Sequence, residues 1–188
     1  MTRDQAFQLL QEHCPEAQLL QHSLQTEAVM DHLARYLEQD RELWSMTGLL
    51  HDLDYAQTKD EPEKHGLLAA EMLQDRLPQQ ALQAIKAHNS EMNGTQPESL
   101  LDSALRCGES VTGLIWANAL VRPQGMQGMK PGSLKKKMKD KSFAANVSRE
   151  RIRECEQLGL ELGEFLQISI QAMTKQQQEA ASAENPAS

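Results

Sequence analysis

Aromatic residues and strand-forming runs are scarce in this sequence. Aromatics make up 4% of its 188 residues, and runs of valine, isoleucine and threonine, which favour strands, are missing. Leucine, alanine, glutamine, glutamate and methionine abound instead, and these residue types favour helices. We therefore predict an all-α protein, and a chain of this length suits one domain with at most an appendage.

Paired cysteines and long apolar segments are also lacking, which argues against several classes of protein. The three cysteines, Cys14, Cys107 and Cys155, form no CxxC pair of the kind found in zinc ribbons and redox dithiols. No stretch approaches the ~20 consecutive apolar residues of a membrane span, and no apolar signal region follows Met1. We expect reduced thiols, no membrane association and a cytoplasmic location.

An excess of positive charge is lacking as well. The formal net charge is −8 with neutral histidines, which argues against stable binding of nucleic acid. The basic residues are unevenly spread, with a concentration at Lys130, Lys135, Lys136, Lys137, Lys139 and Lys141. Such a run is as often a solvated surface as a binding site.

The most informative stretch that is present covers residues 49–54, where His51 and Asp52 directly follow an apolar run. Burying an unpaired charge costs on the order of 3 kcal/mol or more. A metal ion removes that cost, because neutral imidazole and carboxylate are both good ligands. Further candidate ligands stand at wide spacing on both sides: His22, His65, His88 and Glu109.

Apolar periodicity predicts helices that carry these side chains inward. Their predicted bounds are residues 3–13, 16 or 22 to 39, 41–53, 65–77, 78–89, 98–121, 133–140, 148–158 and 161–176. At about 100° per residue, His22 shares the buried face of Val29, and His88 lies on the inward face of its own helix. His13 and His32 fall at a helix end or off that face, and we expect them at the surface.

Glycine and proline punctuate the predicted helices. Gly48 leaves open space beside His51, and close approach by another helix or a ligand would compensate for a glycine within a helix. Residues 90–96 are predicted as a loop, with Thr95 and Pro97 starting the next helix. Residues 123–131, rich in glycine and methionine, predict an exposed, mobile loop that serves as a lid or as a linker.

The ordered set of candidate ligands resembles the HD-domain metal-dependent phosphohydrolases. The matching text comprises His22-Ser23-Leu24, Gly48-Leu49-Leu50-His51-Asp52, His65-Gly66, Ala84-Ile85-Lys86-Ala87-His88-Asn89 and the helix around Glu109. The resemblance covers roughly residues 20–122. Residues 109–160 also resemble a C-terminal extension in one uncharacterised bacterial branch of predicted HD hydrolases.

A metal centre is what the resemblance implies. The implied ligands of the first ion are His22, His51, Asp52 and Glu109. Those of a second ion are Asp52, His65 and His88. Asp52 then bridges both ions, and a shared water or hydroxide attacks phosphorus. Two cations about 3.5–4 Å apart lower the pKa of that water and stabilise the developing charge. We expect His51 and Asp52 to be catalytic, with two divalent ions from among Mn, Fe, Co, Ni and Mg.

Two positions depart from the family pattern. Glu109 stands where the final ligand is usually aspartate, so its longer side chain must change the distance or denticity of binding. Asp102, two helical turns earlier on the same face, is a weaker substitute. Asp54 stands where many members have glycine, and it either accepts a hydrogen bond from a ligand histidine or is solvated.

These observations predict an HD-domain helical bundle with a C-terminal helical extension. Residues 1–125 are expected to form the metal-binding domain, and residues 126–175 a basic loop and helical extension packed on it. Residues 176–188 are expected to be a disordered tail.

The predicted function is a phosphohydrolase that uses metal-activated water. We expect it to cleave a phosphomonoester or phosphoanhydride, and a nucleotide is the first expectation. The two-metal branch of the family that this sequence resembles includes hydrolases of dinucleoside polyphosphates, so these are the first substrate class to consider. The candidate phosphate-binding residues are Lys135, Lys136, Lys137 and Arg122, with Arg106 a weaker one.

Other functions stay open on the sequence. The same scaffold could serve as a nucleotide-binding or regulatory module, with Glu109 marking weakened catalysis. A third alternative, ranked last, is a di-iron site that activates oxygen, as in some HD relatives. Any single histidine is more often a satisfied core or surface residue than a ligand, and only the ordered set argues for a metal.

Overall fold

The computed structural model describes the backbone of residues 1–184 and the surroundings of the side chains of residues 1–182. Within that part of the chain all regular structure is helical, which confirms the predicted all-α class. The helices are α1 Arg3–His13, α2 Ala17–Tyr36, α3 Arg41–Leu50, α4 Tyr55–Thr58, α5 Leu67–Met72, α6 Gln79–Ala87, α7 Ser90–Asn93, α8 Leu100–Leu120, α9 Pro131–Lys139, α10 Arg149–Arg153 and α11 Leu162–Glu184, with a 3₁₀ helix at Glu154–Leu158. Among the described residues, no helix is both long enough and apolar enough to cross a membrane.

The helices that approach the site are shorter than predicted. Helix α3 ends at Leu50 rather than at residue 53, because tighter turns follow, in which the Leu53 amide bonds to the Leu50 carbonyl. Helix α5 begins only after Gly66, whose φ of 81° breaks the helix. His51 and His65 therefore lie at helix ends and in turns, where their side chains can point across the bundle.

The start of α8 also differs from the prediction. Ser99, rather than Thr95 or Pro97, is its N-cap, and Ser99 and Asp102 form a capping box. Both Asp102 carboxylate oxygens are used there: Oδ2 accepts from the amides of Glu98 and Ser99, and Oδ1 from the Ser99 hydroxyl. Asp102 is thereby committed to the helix end and is not an alternative metal ligand.

Three predicted irregular segments are more ordered than the sequence suggests. The predicted loop 90–96 contains the short helix α7. The segment 123–131 is not fully exposed, because Met126 and Met129 are buried in the core. Helix α11 continues through Glu184, beyond the point where the disordered tail is predicted to begin, and residues 185–188 of that tail lie outside the described residues.

Close packing of α2, α3 and α8 sets the frame of the site. A Cβ on Gly48 would lie 2.8 Å from Met30 Cγ and 3.0 Å from the Thr26 carbonyl oxygen, so α3 lies directly against α2. Glycine at 48 thus permits helix contact. One continuous apolar core joins these helices to buried residues of the later ones, including Leu134 and Phe165, so the C-terminal helices pack on α2 and α8.

Candidate metal centre

Four histidines converge on the carboxylate of Asp52. Its Oδ1 lies 3.3 Å from His51 Nε2, 3.2 Å from His65 Nε2 and 3.4 Å from His88 Nε2. Its Oδ2 lies 3.6 Å from His22 Nε2. These residues come from α2, the end of α3, the turn before α5 and the end of α6, so five side chains from four separate segments meet at one point.

Backbone carbonyls orient two of the rings from behind. His51 Nδ1 donates to the Gly48 carbonyl at 2.9 Å, and His88 Nδ1 donates to the Ile85 carbonyl. A carbonyl oxygen can only accept, so the Nδ1 atom of each ring must carry the hydrogen. In the neutral ring, Nε2 then bears a lone pair that points at the centre.

A buried carboxylate orients the third ring. Asp54 Oδ1 lies 2.8 Å from His65 Nδ1, and its Oδ2 accepts from the amides of Gly66 and Ala69 at 2.8 and 3.0 Å. Asp54 is fully buried. Of the two alternatives that the sequence leaves open for Asp54, the structure supports the acceptor behind a ligand histidine and excludes the solvated one.

A hydroxyl orients the fourth ring. The Thr112 hydroxyl donates to the Glu109 carbonyl at 2.6 Å, and His22 Nδ1 lies 3.1 Å from the same hydroxyl oxygen. Since the hydroxyl has only one hydrogen to donate, it accepts from His22. His22 therefore also presents Nε2 to Asp52.

The arrangement of the four Nε2 atoms around Asp52 favours a cation between them. His22 Nε2 lies 3.2 Å from His51 Nε2, and His65 Nε2 lies 3.0 Å from His88 Nε2. Lone pairs at that separation repel each other unless a cation lies between them. Two groups of ligand atoms share Asp52, and within each group the atoms all lie within 4.8 Å of one another: His22, His51 and Asp52, and Asp52, His65 and His88. This donor set suits divalent metal ions.

The protonation states agree with this arrangement. Burial lowers the pKa of His51 to about 3, so its ring is neutral. Burial opposes ionisation of Asp52, but His51, His65 and His88 hold its pKa well below the usual value. Burial likewise opposes protonation of His65, but hydrogen bonds to Asp52 and Asp54 raise its pKa to about 10. Without a metal, a proton on His65 supplies the positive charge.

Glu109 does not join either ligand group. Its Oε1 accepts from the Ser110 hydroxyl at 2.7 Å and from Arg151 Nη1 at 3.1 Å. In this arrangement the Glu109 carboxylate is paired with an arginine, and its predicted role as a metal ligand stays a prediction. Arg151 lies 42 positions after Glu109, so no local sequence pattern around Glu109 indicates that an arginine pairs with its carboxylate.

The predicted phosphate-binding residues lie elsewhere. Arg122 donates to the carbonyls of Gly125 and Gln127, and Lys135 packs on Gly163 of α11. Lys137 lies 4.3 Å from the centre of the Phe143 ring, and Lys136 is exposed. In the part of the chain that the structure describes, none of these four residues lines the cavity beside the metal centre.

That cavity opens beside His22 and has a volume of about 390 Å³. Its other lining residues are mostly polar: Glu91, Glu109, Ser110, Gly113, Asn146, Val147, Ser148 and Arg151. No sequence motif indicated that Asn146, Ser148 and Arg151 line this cavity. A larger cavity of about 720 Å³ is lined by residues of α1, α2, α3 and α11 but by none of the candidate ligands. The smaller cavity is therefore the better candidate for a substrate site.

Arg106 has a structural role. Its guanidinium, almost fully buried, pairs with Glu91 at 2.6 Å and with Glu154 at 2.7 Å. It also donates to the Ala87 carbonyl and the Ser90 hydroxyl. With these donors engaged, Arg106 fastens α6, α7 and the 3₁₀ helix to α8 rather than binding a substrate.

Comparison with known families gives one finding. The family model described as HD domain matches residues 19–140, which is more than half of the chain. The matched range contains His22, His51, Asp52, His65 and His88 and ends before α10. Comparisons with curated proteins and with solved structures gave no match.

Proposed function

The chain belongs to the HD-domain family, and from this membership we propose that it is a metal-dependent phosphohydrolase. One observation carries the proposal. The Nδ1 atom of each of the four histidines faces a hydrogen-bond acceptor, while their Nε2 atoms converge on the Asp52 carboxylate. Purely structural histidines do not require four such lone pairs to meet at one carboxylate.

The residues present fit two divalent ions that share Asp52. His22 and His51 would complete the first ligand set, and His65 and His88 the second. Bound there, such ions supply Lewis acidity toward a phosphoryl oxygen and lower the pKa of water. The chain's own contribution is preorganisation, because Asp54 and the backbone carbonyls fix the ring orientations before any ligand arrives.

We propose a phosphomonoester or phosphoanhydride as the substrate class. The cavity beside His22 is polar and of the size that small-molecule sites have. Within this class, nucleotides and dinucleoside polyphosphates are the first substrates to test, on the strength of the sequence resemblance. We expect the activity in a reducing compartment such as the cytoplasm, because the three cysteines are free thiols.

Hydrolysis by the metal-reconstituted protein tests the proposal. A panel of nucleotides and the generic ester p-nitrophenyl phosphate would be incubated with protein loaded with Mn, Fe, Co, Ni or Mg. We expect turnover that His51→Ala and Asp52→Ala abolish. His32→Ala is the matched control, because His32 donates to the carbonyl of Ala28 in its own helix and lies outside the centre. No turnover by any loaded form would refute the hydrolase.

The position of Glu109 favours a second candidate function, a phosphate-binding module with weakened catalysis. Its carboxylate is engaged by Arg151 and Ser110 rather than by the ligand groups. Calorimetry would then detect nucleotide binding to the metal-loaded protein without any hydrolysis. Turnover that depends on Asp52 would exclude this alternative.

A further inference from the structure

The cavity beside the candidate metal centre is lined by one basic side chain. Among the described residues that line it, Arg151 is the only lysine or arginine. Arg151 belongs to α10, beyond the range that matches the HD domain. The helix outside that range therefore supplies a positive charge to a cavity that the candidate metal ligand His22 also lines.

Arg151 has hydrogen-bonding capacity left over. A guanidinium carries five N–H donors. Nε and Nη2 donate to the two carboxylate oxygens of Glu91, and Nη1 donates to Glu109 Oε1. These bonds use three donors and leave two for a ligand. The side chain is 20% exposed, so a molecule in the cavity can reach it.

The wall that carries Arg151 is firmly built. The Ser148 hydroxyl caps α10 by accepting from the Arg151 amide at 3.2 Å. Arg149 donates to the carbonyls of Ala144 and Val147, each at 2.6 Å, and so holds the preceding loop in place. Glu91 forms a salt bridge with Arg151 and is also paired with the buried Arg106. The guanidinium is thus preorganised, and little side-chain freedom remains to be lost on binding.

We propose that Arg151 is a substrate-binding residue that holds a non-bridging oxygen of a phosphate group in this cavity; the inference rests on the proposed phosphohydrolase function. A planar guanidinium matches the geometry of phosphate oxygens better than an ammonium does. The C-terminal helices thereby complete a site that the matched domain leaves open on one side.

The charges of the acidic residues around Arg151 make phosphate binding depend on bound metal. Arg106 and Arg151 face Glu91, Glu109 and Glu154, so this cluster alone carries a small negative charge. Arg151 by itself does not make the cavity attractive to an anion. Phosphate therefore binds only when metal ions add positive charge at the histidines, and it is then held between the metal centre and Arg151.

Calorimetric titration with inorganic phosphate tests the role of Arg151 without requiring turnover. Metal-loaded wild-type protein should bind phosphate, and the metal-free protein should not. Arg151→Gln should weaken binding by about 10- to 100-fold, the range for a hydrogen bond to a charged group, and Arg151→Lys should fall between. Arg41→Gln is the control, because the Arg41 guanidinium pairs with Asp31 and Arg41 does not line the cavity, so the affinity should stay unchanged.

Glu91→Gln separates binding from mere structural support. This variant disrupts the same Glu91–Arg151 pair but keeps the guanidinium and weakens the competing negative charge. Phosphate affinity should stay equal or rise if Arg151 binds phosphate, and should fall as in Arg151→Gln if the pair only supports the fold. Equal losses in both variants, or no loss in Arg151→Gln, would overturn the inference.

Metal content, measured on every sample, distinguishes a failure of the proposed phosphohydrolase function from a failure of the proposed role of Arg151. Wild-type protein that takes up no metal contradicts the proposed function itself. Wild-type protein that takes up metal and hydrolyses esters, yet binds phosphate independently of Arg151, contradicts only the role of Arg151.

Discussion

Asp54 and His65 form a buried pair in which the carboxylate oxygen Oδ1 lies 2.8 Å from the ring nitrogen Nδ1. The other oxygen of Asp54 accepts two backbone amides, so the carboxylate cannot rotate away. This pair fixes both the tautomer and the direction of His65. It also explains why an acidic residue stands next to the His51-Asp52 motif without belonging to the ligand set.

We expect Asp54→Asn to weaken metal binding by about 10- to 100-fold. The amide keeps the shape of the side chain but turns one acceptor into a donor, which then faces either His65 Nδ1 or the amides of Gly66 and Ala69. A competitive metal titration with a chromogenic chelator measures the effect. Asp60→Asn is the control, because Asp60 is exposed. Equal affinities in the two variants would contradict an orienting role.

Metal affinity should increase with pH. Hydrogen bonds to Asp52 and Asp54 outweigh burial and raise the pKa of His65 to about 10, so binding at neutral pH must displace one proton. Affinity then rises by up to about tenfold per pH unit below that pKa. Titrations at several pH values, with chelator constants corrected for pH, give the slope. A flat profile would show that His65 is already neutral.

The metal-free protein should show the opposite dependence in its stability. The pKa of His65 is raised from 6.5 to about 10, so the folded state binds this proton more tightly than the unfolded state does. The stabilisation is complete below about pH 6.5 and is lost as the pH rises toward 10. Urea denaturation in the presence of a chelator measures the trend, and His65→Ala should remove this part of it.

Gly48→Ala should destabilise the fold. The added Cβ would lie 2.8 Å from Met30 Cγ and 3.0 Å from the Thr26 carbonyl oxygen, and overpacking of this kind costs about 1–3 kcal/mol. Gly132→Ala is the matched control, because it lies in α9 with no atom within 4 Å of the new Cβ. That variant should be neutral or stabilising by up to about 1 kcal/mol. Denaturant midpoints compare the two, and similar shifts would contradict the close approach of α2 and α3.

The cysteines should be unreactive in the folded protein. All three are buried. Burial raises the pKa of Cys14 and of Cys155 to about 11 and that of Cys107 well above its usual value. The thiolate is the reactive form, so labelling by a thiol reagent near pH 8 should be negligible until the protein unfolds. Rapid modification of any cysteine before unfolding would contradict this burial.

Local sequence patterns predicted the longer helices and the five residues that converge at the site. His51 and Asp52 are adjacent, and His22 and His88 share helix faces with apolar residues, so their inward direction follows from helical periodicity. The Ser99–Asp102 capping box was not predicted, although its spacing of three residues is a recognisable helix-start signal. Its two residues explain why α8 starts later than Thr95 and why Asp102 is not a ligand.

Contacts between distant segments could not be predicted in this way. The partner of Glu109 is Arg151, in a helix of five residues whose sequence carries no motif. Lys135, Lys136 and Lys137 formed the conspicuous basic run, yet they lie away from the cavity. Met126 and Met129 are buried in a segment whose glycines suggested a mobile loop. In each case tertiary packing, rather than local propensity, decided the outcome.

Metal content of protein purified without chelators tests the central claim most directly. Elemental analysis should find about two divalent ions per chain, as expected for a dinuclear hydrolase. Asp52→Ala, which removes the shared ligand, should abolish both ions, whereas His88→Ala should retain the first and His32→Ala should retain both. No metal after reconstitution, or equal metal content in wild-type protein and Asp52→Ala, would contradict the account.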